Sequence, residues 1–351
     1  MRILILSPND PKVLKCGVRA AKLREYLEKN EVRTISLPGL DYRKVSISMV
    51  MNYLKLLFFL LTRKQDDLVL LENERSAWML RAFKKLGYRL ALDIRDNRAL
   101  QHSAYNAVAD QEIMDTIERV LLLNIDMCDF IFVVSASCKE LYPQKYFEKI
   151  FVIENASDPR LFQYTELPEE LSIGFISGIA PGRGIELLIK AGEIIREKVP
   201  GVKLYIAGTH LKGTRQYYED LKSRYESSWI TFRDDIFYSI NACQFIKNCY
   251  LTVIPHPDHI HYSTTIPVKV LDSLACGRPV VSTNCKETAS ILNTYHCGLV
   301  SDFTEQDLAG KITQLLLDRE EASIMGRNGR RIVEDIYNWD NMARKIIQYI
   351  S

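Results

Sequence analysis

A chain of 351 residues exceeds a typical single domain and suits two. Hydrophobic residues make up 47% of it and charged residues 26%, enough for real cores. The 46 basic and 44 acidic residues leave a formal net charge of +2, which argues against a dedicated nucleic-acid binder.

Along the first half, short apolar runs bounded by turns fall at residues 2–6, 68–71, 89–93, 130–134 and 150–153. The first of these, in MRILILSP, has the pattern of a strand and lacks the basic leader, long apolar core and cleavage site of a signal peptide. Helical spacing covers residues 18–29 and 112–124. Residues 44–64, KVSISMVMNYLKLLFFLLTRK, place Ile47, Val50, Met51, Leu54, Leu57, Phe58 and Leu61 at helical spacing, with Arg43, Lys44, Lys55, Arg63 and Lys64 around them. Asn52 and Lys55 interrupt a stretch at the bottom of the roughly 17–25 residues needed to cross a bilayer. This segment reads as a helix packed on a sheet, or as an interfacial helix in peripheral contact with an anionic membrane surface.

The second half repeats the alternation. Strand-like runs lie at 172–176, 203–207, 229–232, 250–254, 278–282 and 298–300, and helix-like segments at 184–197, 217–226, 268–275, 305–318 and 322–336. Continuous apolar runs separated by helices predict parallel strands buried on both faces. The polar, proline-bearing segment FQYTELPEELS (162–172) marks the expected boundary, giving domains at 1–165 and 166–336. Two doubly wound domains facing each other would leave a cleft at the carboxyl ends of their strands, where ligands bind in such sheets. The eight cysteines contain no CxxC and no zinc-like spacing, which fits free thiols in a reducing cytoplasm.

Two segments carry candidate chemistry. In GFISGIAPGRGIELLIKA (174–191), Gly178, Gly182 and Gly184 permit close backbone approach to a ligand, and Arg183 stands just before a helix N-terminus that favours an anion. The glycine spacing matches neither GxGxxG nor a Walker A loop. In TTIPVKVLDSLACGRPVVS (264–282), Thr264 and Thr265 precede Pro267, and Lys269 and Asp272 share one helix face. As plain structure these are a strand–turn–helix and a surface ion pair; together, they are two anion-ready elements in one half of the chain.

The pattern P-x-K-x-x-[E/D]-x-x-A-x-G-x-P-V-V, carried by Pro267, Lys269, Asp272, Ala275, Gly277, Pro279, Val280 and Val281, resembles the donor signature of retaining GT-B glycosyltransferases of family 4. LDIRD (92–96), VVSASCKELY (133–142), VIENASDPRLF (152–162), KLYIAG (203–208) and YNWDNMARKIIQYI (337–350) are similar to further landmarks in the same order. The resemblance implies an α/β GT-B fold of two Rossmann-like domains, with the closing helix at 337–351 packing back on the first. It implies a nucleoside diphosphate sugar as donor, a glycan or lipid-linked acceptor, and neither metal nor cofactor. Arg183 and Lys269 would neutralise the diphosphate. Asp272 would bind the ribose, and Thr264, Thr265 and Ile266 would line the phosphates or sugar. Gly17, Gly178 and Gly182 would approach the diphosphate, His261 would meet sugar hydroxyls, and Asp93, Arg95 and Asp96 would face the transferred sugar. The chain departs from the family at Thr264 and Asp272, where two glutamates are usual, at Ile179, where an arginine is, and at Arg95, which stands for a histidine with His102 off register.

Other readings stay open. HPDHIHY (256–262) supplies His256, His259, His261 and Asp258, which could serve a nucleotide-sugar epimerase or, with poorer spacing, a metal. A non-catalytic glycosyltransferase-like subunit would account for Thr264 and Ile179.

Overall fold

The computed structural model describes residues 2–7, 18–38, 47–62, 64, 66–72, 80–105, 110–211, 213–236 and 240–351. Contacts divide the chain into two compact units: residues 1–99, 110–154 and 339–351, and residues 100–109 with 155–338.

The first unit contains β1 (Arg2–Ser7), α1 (Val18–Lys29), β2 (Arg33–Pro38), α2 (Ile47–Leu61), β3 (Leu68–Glu72), α3 (Leu80–Lys85), β4 (Arg89–Ile94) and the start of α4 (Arg98–Tyr105). It continues with α5 (Gln111–Met127), β5 (Phe130–Val133), α6 (Ala136–Glu140), a 3-10 turn (Gln144–Lys149) and β6 (Ile150–Val152). The strands form a parallel sheet ordered β2-β1-β3-β4-β5-β6. The apolar runs of β1, β3, β4 and β5 are buried, as parallel strands covered on both faces require. The sequence reading lacked β2, RTISLP, an edge strand whose alternation is too polar for a buried run. Among the described residues, two buried ion pairs fasten this unit. Arg2 bonds Asp67 and Thr62 and lies 4.9 Å over the Phe59 ring, while Arg19 bonds Asp93.

Helix α2 covers residues 47–61 of the 44–64 segment. Phe59 is fully buried, so the helix packs. Leu54, Leu57, Phe58 and Leu61, spaced as one helical stripe, are at least half exposed. Its 15 residues span about 22 Å, short of the ~30 Å hydrocarbon core. Among the described residues no helix is long and apolar enough to cross a membrane.

The second unit contains β7 (Ser172–Ile176), α7 (Ile185–Lys198), β8 (Lys203–Ala207), α8 (Arg215–Tyr225), β9 (Ile230–Arg233), α9 (Ile240–Asn248) and β10 (Leu251–Ile254). After them come α10 (Ile260–Ser263), α11 (Val268–Ala275), β11 (Val280–Thr283), α12 (Lys286–Tyr295), β12 (Gly298–Ser301), α13 (Glu305–Leu317) and α14 (Arg319–Asp335). The parallel order β12-β11-β10-β7-β8-β9 reverses direction between the neighbours β7 and β10. That reversal is the switch point of a doubly wound sheet, and ligands bind outside it.

The expected boundary at 165/166 lies inside the second unit, where three arginines hold the segment around it. Arg330 donates to the carbonyls of Pro159, Phe162 and Ala275. Arg278 donates to those of Thr165 and Glu166, and Arg319 to those of Leu167 and Pro168. The closing helix α15 (Trp339–Ile350) belongs to the first unit, where Lys345 reaches Glu154 at 2.7 Å and Asp340 accepts from Asn30.

Candidate functional site

Strands β7 and β10 lead into the two segments singled out by sequence. After β7, Ile179 turns its side chain into the core, and its N–H bonds the Thr209 carbonyl at 2.9 Å. Gly182 and Gly184 then take left-handed φ values of 75° and 73°. Gly184 caps α7, and a Cβ there would lie 1.7 Å from the Pro255 carbonyl oxygen, so only glycine fits. Gly178 packs against Leu211. Arg183 is half-buried and donates to Ser177 Oγ at 2.7 Å, which sets its guanidinium at the start of α7.

After β10 the histidine-bearing segment folds over this loop. Tyr262 stacks on His256 with ring centres 4.2 Å apart and donates its hydroxyl to the Gly182 carbonyl at 2.9 Å. Burial, followed by the charges of Arg183 and His261, pushes the His256 imidazole down to about 3, so it stays neutral at physiological pH. His261 is buried beside Tyr262. His259 Nδ1 accepts the His261 backbone N–H, and its Nε2 lies 3.2 Å from Ser103 Oγ. Among the described residues no group of three or more His, Cys, Asp or Glu side chains is placed to hold a metal ion.

Thr264 and Thr265 turn their hydroxyls back onto the carbonyls of Ile260 and His261. Ile266 is a core side chain whose carbonyl accepts from Asn155. Lys269 lies in the first turn of α11, with its ammonium 3.5 Å from Asp272. Burial lowers the pKa of Lys269, and the Asp272 charge opposes that shift. Asp272, expected at the donor-facing edge, instead has no exposed surface, and its other oxygen accepts Ser157 Oγ at 2.8 Å. One methylene shorter than glutamate, it ends inside the unit.

In the first unit, Asp93, expected to face a sugar, is buried against Arg19. Arg19 also donates to the carbonyls of Ile153 and Glu154. Arg95 is half-buried and Asp96 exposed, just past β4; His102 is half-buried in the part of α4 that belongs to the second unit. Gly17 lies outside the described residues. Sequence reading singled out neither Ser157, Asn155 and Tyr262, which fix the loops, nor Arg19. Their partners lie up to 135 residues away in the chain.

Over essentially its whole length the chain superimposes on sucrose-phosphate synthase from Thermosynechococcus elongatus, with a TM-score of 0.75, 17% identity and coverage of 99% of this chain and 98% of that one. That likeness shows the GT-B fold. Anabaena Alr3699/HepE, solved in complex with UDP, gives a TM-score of 0.72 at 16% identity over 100% of this chain and 99% of that one. Residues 170–318 match the family model "Glycosyl transferases group 1", which covers β7 through α13, both loops included. The GDP-mannose-dependent alpha-(1-6)-phosphatidylinositol monomannoside mannosyltransferase of Mycobacterium tuberculosis is 24% identical over 188 residues, 52% of this chain and 48% of the relative. The chain thus spans about half the length of the curated relatives it matches.

Proposed function

We propose that the protein is a retaining glycosyltransferase of family 4, which moves a sugar from a nucleoside diphosphate sugar to a glycan or lipid-linked acceptor in glycoconjugate synthesis at the cytoplasmic side of a membrane. The observation that carries this reading is positional. Two anion-ready elements, the Arg183 loop at α7 and Lys269 in the first turn of α11, follow β7 and β10, the strands at the switch point. A relative that uses GDP-mannose and a fold neighbour that holds UDP support it.

In the proposed reaction the bond from the anomeric carbon to the diphosphate breaks and a bond from the acceptor oxygen forms on the same face. The acceptor proton passes to the departing diphosphate. Arg183, Lys269 and the helix N-termini supply the counter-charge without a metal ion, the kind of preorganised stabilisation that dominates such catalysis. Gly178 and Gly182 bring backbone close to the diphosphate, with Thr264, Thr265, Ile266 and His261 around it; Gly17 is assigned to the same donor, and Arg95 and Asp96 to the transferred sugar.

Incubation with UDP-, GDP- and ADP-sugars tests the reading: one of them should release its nucleoside diphosphate when acceptor is added, with the anomeric configuration kept. Conversion of donor alone to an epimer would assign the histidine segment to epimerase chemistry instead. Absence of binding to all three nucleotides would point to a non-catalytic subunit.

The half-exposed stripe Leu54, Leu57, Phe58 and Leu61, beside the exposed Lys55 and Lys64, supports peripheral contact with an anionic membrane. Vesicles containing phosphatidylserine should carry the protein upward in flotation. Leu57→Glu with Phe58→Glu should leave it at the bottom, and a wild-type protein that stays there would remove this part of the proposal.

A further inference from the structure

The family pattern gives the acidic residue on α11 to the donor ribose, and the structure does not. Asp272 has no exposed surface. A ribose hydroxyl would have to come within about 3 Å of its oxygens. One oxygen accepts Ser157 Oγ at 2.8 Å and the other lies 3.5 Å from Lys269 Nζ. Ser157 is itself fully buried and held by its backbone, since its N–H bonds the Tyr337 carbonyl at 2.9 Å. Two residues earlier Asn155 Nδ2 donates to the Ile266 carbonyl at 2.9 Å, just ahead of Pro267 and the start of α11. The segment 155–157 therefore grips the first turns of α11 at both the backbone and the carboxylate. Lys269 remains the member of the set that reaches the surface, with its side chain 22% exposed.

We propose that Asp272 is a positioning residue: anchored by Ser157, its carboxylate holds the Lys269 ammonium against the place of the donor diphosphate and does not touch the ribose. This rests on the donor-site reading above. Aspartate fills this position with its carboxylate within hydrogen-bond reach of Ser157. The charge acting on Lys269 is that of Asp272, and it opposes the loss of the lysine proton that burial favours. Without it, Lys269 would neutralise at lower pH and the diphosphate would lose a counter-charge.

Calorimetry with inorganic pyrophosphate, a nucleoside, and the matching nucleoside diphosphate separates the two roles, using the full chain. Asp272→Asn keeps the shape and removes the charge. It should weaken pyrophosphate and nucleoside diphosphate by about tenfold or more, the scale of one pKa unit. The loss should grow as pH rises, while nucleoside affinity is unchanged. Ser157→Ala should shift the same two ligands in the same direction by less, and it serves where Asp272→Asn fails to fold. Unchanged pyrophosphate affinity with weakened nucleoside affinity would overturn the proposal and restore the ribose contact. Wild-type protein that binds neither pyrophosphate nor any nucleoside diphosphate would overturn the donor site itself, a different result.

Discussion

Arg19–Asp93 and Lys269–Asp272 are both buried pairs of a cation and an aspartate, one in each unit, and their surroundings differ. Arg19 makes contacts of 2.9–3.2 Å to the Asp93 carboxylate and gives further N–H groups to the carbonyls of Ile153 and Glu154. Both side chains are sealed from solvent. Lys269 meets Asp272 at the longer distance of 3.5 Å and reaches the surface, while the aspartate is held from behind by Ser157. A sealed pair whose donors end on carbonyls fixes strand and helix ends. A pair with one member at the surface, beside a helix N-terminus at a switch point, presents a charge. Residue type alone does not separate the two; depth does.

The largest effect should come from breaking the sealed pair. Arg19→Ala leaves the Asp93 carboxylate buried without its partner, which destabilises by about 3–5 kcal/mol. Urea unfolding should show a much lower midpoint, and an unchanged midpoint would erase the distinction. Lys269→Ala should do the reverse in kind. Transfer should fall by roughly 10²–10³-fold, the range seen when one preorganised electrostatic contact is lost, while the midpoint drops less than for Arg19→Ala because Ser157 still bonds Asp272.

A second contrast uses two glycines of similar backbone angle. Gly184 has φ 73° and Gly201 has φ 85°. A Cβ at Gly184 would meet the Pro255 carbonyl at 1.7 Å, whereas one at Gly201 would meet nothing within 4 Å. Gly201→Ala should register only left-handed strain, at the low end of about 1–3 kcal/mol. Gly184→Ala adds a backbone collision that pushes the loop after β7 away from the segment after β10, so nucleotide affinity should fall along with the thermal midpoint. Equal losses in the two variants would show that the close approach to Pro255 does not hold the loop.

These pairs also mark where the sequence was readable. Continuous apolar runs such as RILIL and LTVI announce buried parallel strands because their burial leaves no polar face to encode. The α11 segment was readable because proline, lysine, aspartate and glycine lie in local register. Ser157 and Asp272 are 115 residues apart, and Arg19 and Asp93 are 74 apart. Such pairs meet only once the strand order is set, and no local pattern carries that. The 162–172 segment misled for a related reason. Its polar residues resemble a linker, yet its carbonyls are taken up by Arg278, Arg319 and Arg330 from distant helices and loops.

Arg2–Asp67, a second sealed pair, sharpens the comparison with the smallest effect. Arg2 donates to both Asp67 oxygens and to Thr62 at the end of α2. Burial pushes the Asp67 carboxyl up, but the Arg2 hydrogen bond, the Lys64 N–H and the charges of both residues outweigh it and leave the carboxyl below its ordinary value. A carboxyl that is more acidic folded than unfolded stabilises the fold above the unfolded-chain value, about 3.9. That contribution is complete at neutral pH and is lost as pH falls through the folded-state value. Asp67→Asn should therefore unfold at a lower denaturant midpoint than wild type from pH 7 down to about 5, and the gap should close below about 4 as the wild-type carboxyl takes up its proton. A gap that stays constant into acid would place the stabilisation in the packing of Arg2 on Phe59 rather than in the charge of Asp67.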